Sequence, residues 1–102
     1  MRRGEVWWAL LNPQPRPVVL VSRAAHLEAR GLVLAVPVTT RVRGSSSEVP
    51  LGPEDGLFKP CAANAANVGL ITKSRLVRRV TSLSPSKRDA LDAALRFTLG
   101  LD

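Results

Sequence analysis

Arg16 stands between Pro15 and Pro17, so its backbone is stiff where it leaves a turn. Thr39 and Thr40 follow directly after the apolar run Leu32–Val38, and Arg41 and Arg43 come next. The two arginines share a face if the chain stays extended. A guanidinium keeps its charge and donates to phosphate through two N–H groups at once. A threonine hydroxyl can donate to a phosphoryl oxygen. Together such groups can stabilise the negative charge of a five-coordinate phosphorane. An RNA strand carries its own nucleophile, the 2′-OH. Its cleavage therefore needs a base, charge stabilisation and an acid for the leaving oxygen, with no metal and no covalent enzyme intermediate. Solvated arginines and turn threonines would look the same in sequence, so the residues alone leave both readings open.

Little else in the chain could carry chemistry. His26 is the single histidine, which excludes a two-histidine mechanism and any poly-histidine metal centre. With only Glu28 nearby, it reads as an exposed loop residue. Cys61 is the single cysteine, which excludes an internal disulfide and a cysteine-based zinc site. It reads as a small buried apolar residue. No glycine-rich phosphate loop is present, and neither a metal nor a cofactor is expected. Glu48 is a candidate base through its proximity to the Arg41–Gly44 turn, with an ordinary surface role the plainer reading.

Composition narrows the partners. The 102 residues carry 15 Lys and Arg against 8 Asp and Glu, a net charge of +7, and 12 of the 15 are arginine. That balance favours RNA, DNA or an acidic protein as partner. At 45% hydrophobic residues the chain is no disordered tail, and at this length it can bury a core. No apolar run approaches the ~20 residues of a membrane helix. The basic start MRRGEVWW is not followed by a signal peptide's apolar stretch, so a reducing cytoplasm is expected. The basic excess is spread over both halves, and without a repeat or long linker residues 1–102 are expected to form one domain.

The elements that must hold these side chains are short. Glu5–Leu10 predicts a first strand, with Trp7 and Trp8 on opposite faces, one toward the core. Asn12–Pro15 is a turn, and Val18–Val21 a buried strand. Arg23–Gly31 reads as a loop or helical turn. Leu32–Val38 predicts a central strand in which Pro37 marks a bulge or an end. Glu48–Leu51 reads as an edge strand and Gly52–Pro60 as a loop. Cys61–Leu70 is undecided on propensity, its length favouring a strand, and Leu76–Leu83 predicts another strand. Ser84, Pro85 and Gly100 bracket an amphipathic helix with Leu91, Leu95 and Leu99 inward and Arg88 paired with Asp92 outward. Short strands followed by one helix suggest a mainly β fold, a curled antiparallel barrel with a C-terminal helix.

Five segments in order resemble the successive motifs of the MazF/PemK family of toxin endoribonucleases. They are Arg2-Arg3-Gly4-Glu5-Val6-Trp7, Arg16-Pro17-Val18-Val19-Leu20-Val21-Ser22, Val36-Pro37-Val38-Thr39-Thr40, Lys73-Ser74-Arg75-Leu76, and Leu91–Arg96 before Leu99-Gly100-Leu101. Val42-Arg43-Gly44 and Glu48–Leu51 further resemble a compact branch of it. The resemblance implies an SH3-like, CcdB/PemK-like small barrel. It implies a homodimer that cleaves single-stranded RNA at a short sequence without metal, leaving a 2′,3′-cyclic phosphate and a 5′-OH. It also implies a cognate MazE-like antitoxin with an acidic tail. It puts the catalytic arginine on Arg16 and the catalytic threonine on Thr39, with Thr40 adjacent; Thr40, Arg41, Arg43 and Asn67 are expected to bind RNA. This chain departs from the pattern in a short loop before Arg16 and in Ala66-Asn67, where many members carry an acidic residue first. Two other readings stay open: a CcdB-like gyrase poison of the same fold, which needs no Arg16–Thr39 pair, and a non-catalytic basic RNA-binding domain.

Overall fold

The computed structural model describes residues 1–101. Seven strands, all paired antiparallel, form a bent sheet: β1 (Glu5–Ala9), β2 (Arg16–Leu20), β3 (Leu32–Thr39), β4 (Glu48–Leu51), β5 (Cys61–Asn64), β6 (Gly69–Thr72) and β7 (Leu76–Ser82). Their order is β4-β5-β3-β2-β1-β7, with β6 also on β3. Two helices, α1 (Ala24–Ala29) and α2 (Pro85–Leu99), complete the fold.

β3 is the strand on which the architecture turns. Its first half, Leu32–Ala35, pairs with β6, Val33 opposite Ile71, and its middle, Ala35–Pro37, with β2, Val18 opposite Pro37. Its last two residues pair instead with β5, Val38 to Ala63 and Thr39 to Ala62. Pro37 therefore neither ends the strand nor bulges it. The missing N–H falls where β3 changes partner, the place a proline costs a ladder least.

Two apolar clusters result. Val6, Val19, Val36, Val38, Leu51, Leu91 and Ala94 are among the residues of the first, and Ala9, Val18, Leu20, Leu27, Val33 and Leu76 of the second. α2 covers the first. Its start matches the sequence signals: the Ser84 side chain accepts from Lys87 N at 3.2 Å, Pro85 leads, and Gly100 is left-handed at φ 69°. Leu91 and Ala94 are buried and Leu95 packs against them, whereas Leu99 is exposed.

Three further expectations are corrected. Residues 61–70 are not one strand. β5 ends at Asn64, a 3-10 turn spans Ala65–Asn67, and β6 starts at Gly69. The Asn64 side chain caps that turn from Ala66 N, and Ala65 N donates to Ser47 O at 2.8 Å, which pulls the chain out of the ladder. Asp92 does not pair with Arg88. Arg3 takes it, at 2.7 Å, while Arg88 lies across Gly4. His26 is exposed, but on α1 rather than in a loop.

Candidate active site

The central strands end together at one surface, and there they deliver the residues singled out by type and spacing. Arg16 is the first residue of β2 and Thr39 the last of β3, both half-buried. Two hollows adjoin them. One, of about 550 Å³, is walled by Trp8, Arg16, Thr39, Thr40, Arg41, Leu57, Phe58, Lys59 and Cys61 among others. The other, of about 290 Å³, is walled by Arg16, Pro37, Thr39, Arg41, Arg43, Glu48, Asn64 and Asn67. Arg16, Thr39 and Arg41 belong to both, and so form a ridge between them. All six residues proposed from sequence, Arg16, Thr39, Thr40, Arg41, Arg43 and Asn67, line one hollow or both.

Of the ridge side chains, Thr39 is held by a hydrogen bond and the two guanidinium groups are left free. Arg41 N donates to Thr39 Oγ1 at 3.1 Å, so the hydroxyl accepts from the backbone and keeps its own hydrogen to donate outward. Among the described residues, the guanidinium groups of Arg16, Arg41 and Arg43 make no hydrogen bond or ion pair. Unpaired cations at and just beyond the ends of paired strands are donors available to an anion.

Glu48 serves the loop rather than the ridge. Its Oε1 accepts from Gly44 N at 2.6 Å and from Arg43 N at 3.0 Å, and its Oε2 also accepts from Arg43 N at 3.2 Å. Those bonds fix the turn that carries Arg43, so the geometry gives Glu48 a supporting place. Cys61 is buried in the wall of the larger hollow. Burial first, then the Asp55 and Glu54 carboxylates, push its thiol up, so it is a neutral wall group rather than a nucleophile. Among the described residues, no three His, Cys, Asp or Glu side chains gather into a metal site.

Comparison with known proteins decides the family. A family model described as PemK-like, MazF-like toxin of type II toxin–antitoxin system matches residues 2–99. The chain belongs to that family. It is 33% identical over 101 residues to the probable endoribonuclease MazF2 of Mycobacterium tuberculosis, covering 98% of this chain and 99% of the relative. It is 37% identical over 99 residues to the probable endoribonuclease MazF5 of the same organism, covering 95% and 91%. The solved toxin MazF-mt6 of M. tuberculosis superposes with a TM-score of 0.90 at 31% identity, over 96% of this chain and 98% of that one. A mycobacterial endoribonuclease in complex with its cognate antitoxin gives 0.91 at 29% identity, over 100% and 97%. The mainly β fold with a C-terminal helix is thus that of solved MazF toxins.

Sequence reasoning missed several residues that border this candidate site. Trp8 and Phe58 face the larger hollow, and Asn64 the smaller. Trp8 had a partial signal, because alternation separates it from Trp7. The structure puts Trp7 against the second cluster, with its Nε1 donating to Glu5 Oε1 at 2.9 Å. Trp8 looks into the hollow, with the Arg78 guanidinium 5.9 Å from its ring centre. Of the nearby basic residues, Arg75 donates to Leu10 O and Arg79 meets Glu5.

Proposed function

We propose that this chain is the toxin of a type II toxin–antitoxin pair and an endoribonuclease that cuts single-stranded RNA at a short sequence. The observation that carries the reading is the shared ridge: Arg16 and Thr39, far apart in sequence, both line the two adjoining hollows. The RNA 2′-OH attacks the adjacent phosphorus and gives up its proton. The bond from phosphorus to the 5′-oxygen breaks, and that oxygen takes up a proton. The products are a 2′,3′-cyclic phosphate and a 5′-OH, with no water consumed. Arg16 faces the charge that grows on the phosphorane oxygens, and the free Thr39 O–H donates to one of them. Arg41 and Arg43 draw in the flanking phosphates, and Thr40 and Asn67 contact the strand beside them. The donor set here consists of guanidinium, ammonium, hydroxyl and amide groups, which favours a path without metal.

The rest of the assembly belongs to the same proposal. The chain works as one domain over 1–102, in the cytoplasm and as a homodimer. Leu32, Leu34 and Leu70 stand exposed around one apolar depression on β3 and β6, a surface a second copy would cover. A MazE-like antitoxin with an acidic tail would occupy the basic ridge in competition with RNA. The chain has no helix long and apolar enough to cross a membrane among the described residues. Incubation of the purified protein with a long RNA in EDTA, followed by mapping of 5′ ends, tests the activity. Cuts bearing 5′-OH ends at one recurring short sequence are expected. Intact RNA, or cleavage only after Mg²⁺ is added, would overturn it.

A further inference from the structure

Phe58 is the most exposed large apolar side chain among the described residues, at 80%. Its surroundings are firmly built. The preceding turn, Pro53–Asp55, is closed by Gly52 N donating to Asp55 Oδ2 at 3.0 Å. Gly56 then takes φ +97°, and a Cβ there would collide with Thr81. Leu57 on one side is buried, and on the other Pro60 leads into buried Cys61 at the start of β5. Phe58 thus stands on a rigid base held by its neighbours, with its ring in water. Eleven large apolar side chains are exposed among the described residues, so exposure alone does not single out Phe58; its place on the wall of the larger hollow does.

What the ligand is follows from the company the ring keeps. Phe58 shares the larger hollow with Trp8, with the apolar wall of Val38, Leu57 and Cys61, and with the cations Arg16, Arg41 and Lys59. An aromatic platform beside unpaired cations fits a flat base joined to a phosphate. The geometry points to Phe58 as the stacking platform for a base next to the scissile phosphate, held in the larger hollow while that phosphate sits on the Arg16–Thr39 ridge. This rests on the endoribonuclease reading above. The two hollows then divide recognition. The larger grips a base through its face, which every base has, and so tolerates sequence. The smaller presents the Asn64 and Asn67 amides, which can read base edges.

The test is a double-mutant cycle on binding. Wild-type protein first maps its own cut site on a long RNA. A short RNA spanning that site, with a 2′-deoxy sugar at the attacking position, then serves as a non-cleavable ligand. Phe58→Ala should weaken its binding by roughly tenfold, as expected for one stacked base, and Phe58→Trp should restore it. Replacing a base beside the cut with an abasic sugar should cost wild type the same factor and Phe58→Ala almost nothing, at one of the two flanking positions. Because the ring is exposed, both variants should keep the wild-type melting temperature. Equal binding by wild type and Phe58→Ala would overturn the assignment. So would independent losses from the variant and the abasic sites, full rescue by Phe58→Leu, or weakened binding of an acidic antitoxin peptide alone. If wild type cuts no RNA, the enzymatic reading fails instead, and the two failures are told apart at the first step.

Discussion

Arg3 and Arg16 are both half-buried arginines next to the start of a strand, yet the fold treats them in opposite ways. Arg3 is fully engaged: its Nη2 donates to Asp92 at 2.7 Å and its Nε to Val21 O at 3.1 Å, which ties the N-terminus to α2. Arg16 has no hydrogen-bonding partner among the described residues, and neither do the side chains of Arg41 and Arg43 beside it. Degree of burial does not separate an engaged arginine from an unengaged one. The presence of an acceptor does. A chain with a +7 excess leaves cations unpaired at several places, and three of them, Arg16, Arg41 and Arg43, stand together around one hollow at the ends of β2 and β3.

The comparison breaks most sharply at Arg16 itself. Arg16→Ala should cut the rate of RNA cleavage by ~10²-fold or more, because it removes a charge aimed at the transition state. Its melting temperature should stay at the wild-type value, since no bond within the protein is lost. Arg16→Lys should recover little, because an ammonium cannot reproduce a two-pronged contact. An Arg16→Ala protein that cleaves at the wild-type rate would remove Arg16 from the mechanism.

Thr39 should come next. Thr39→Val keeps the β-branched shape and deletes the hydroxyl, so cleavage should slow by about 10–10²-fold for the loss of one transition-state donor. The bond from Arg41 N is lost as well, and it lies on the surface, so stability should fall by at most about 1 kcal/mol. Thr40→Val, one residue on and exposed, should have the smaller effect on rate. A reversed order would transfer the hydroxyl's role to Thr40.

On the engaged side the readout changes from rate to stability. Arg3→Ala should lower stability by about 0.5–1 kcal/mol, since its pair with Asp92 is partly open to water and therefore discounted. In a chain of this length that is a melting shift of a few degrees, of order 2–8 °C. Cleavage per folded molecule should be unchanged. A rate loss without a melting shift would place Arg3 among the functional arginines and dissolve the distinction.

How far the sequence reveals this depends on how local each cause is. α2 is legible because Ser84, Pro85 and Gly100 act on their own neighbours. Its ion pair is not, because the local spacing offers Arg88 to Asp92 while Arg3 arrives from the far end of the chain and finds Val21 O as well. The break in 61–70 is hidden for the same reason: alanines and asparagines set no period, and the hydrogen bond from Ala65 N to Ser47 O comes from another segment. In the site, Arg16, Thr39 and Arg41 are visible by type and by their positions at strand ends. Phe58 and Trp8 are visible only as aromatics until folding brings β1 and the Pro53–Pro60 loop to one hollow. A usable signal was present in the setting of Phe58, a ring in a Gly/Pro loop with no period that could bury it.

The smallest expected effect sharpens the engaged side further, because it depends on pH. Glu5 is buried, which pushes its carboxyl up. Hydrogen bonds from Trp7 Nε1 at 2.9 Å and Arg2 N at 3.0 Å, the N-terminal charge, and Arg79 at 3.4 Å together outweigh that burial and hold it below the ordinary value of 4.5. A carboxyl whose folded value is depressed stabilises the protein above its unfolded value, and that contribution is lost as pH falls through the folded value. Wild type should therefore lose this increment only below about pH 4.5. Glu5→Gln keeps one acceptor oxygen, gives up the charge facing Arg79 and buries an amide N–H₂ in its place. Its melting temperature should lie below wild type at pH 7, and the gap should narrow steadily as both are taken below pH 4.5. A gap that stays constant across that range would mean that Glu5 acts by packing alone. Cleavage at neutral pH should be the same for the two proteins once each is folded, because Glu5 lies among the engaged charges and not on the ridge.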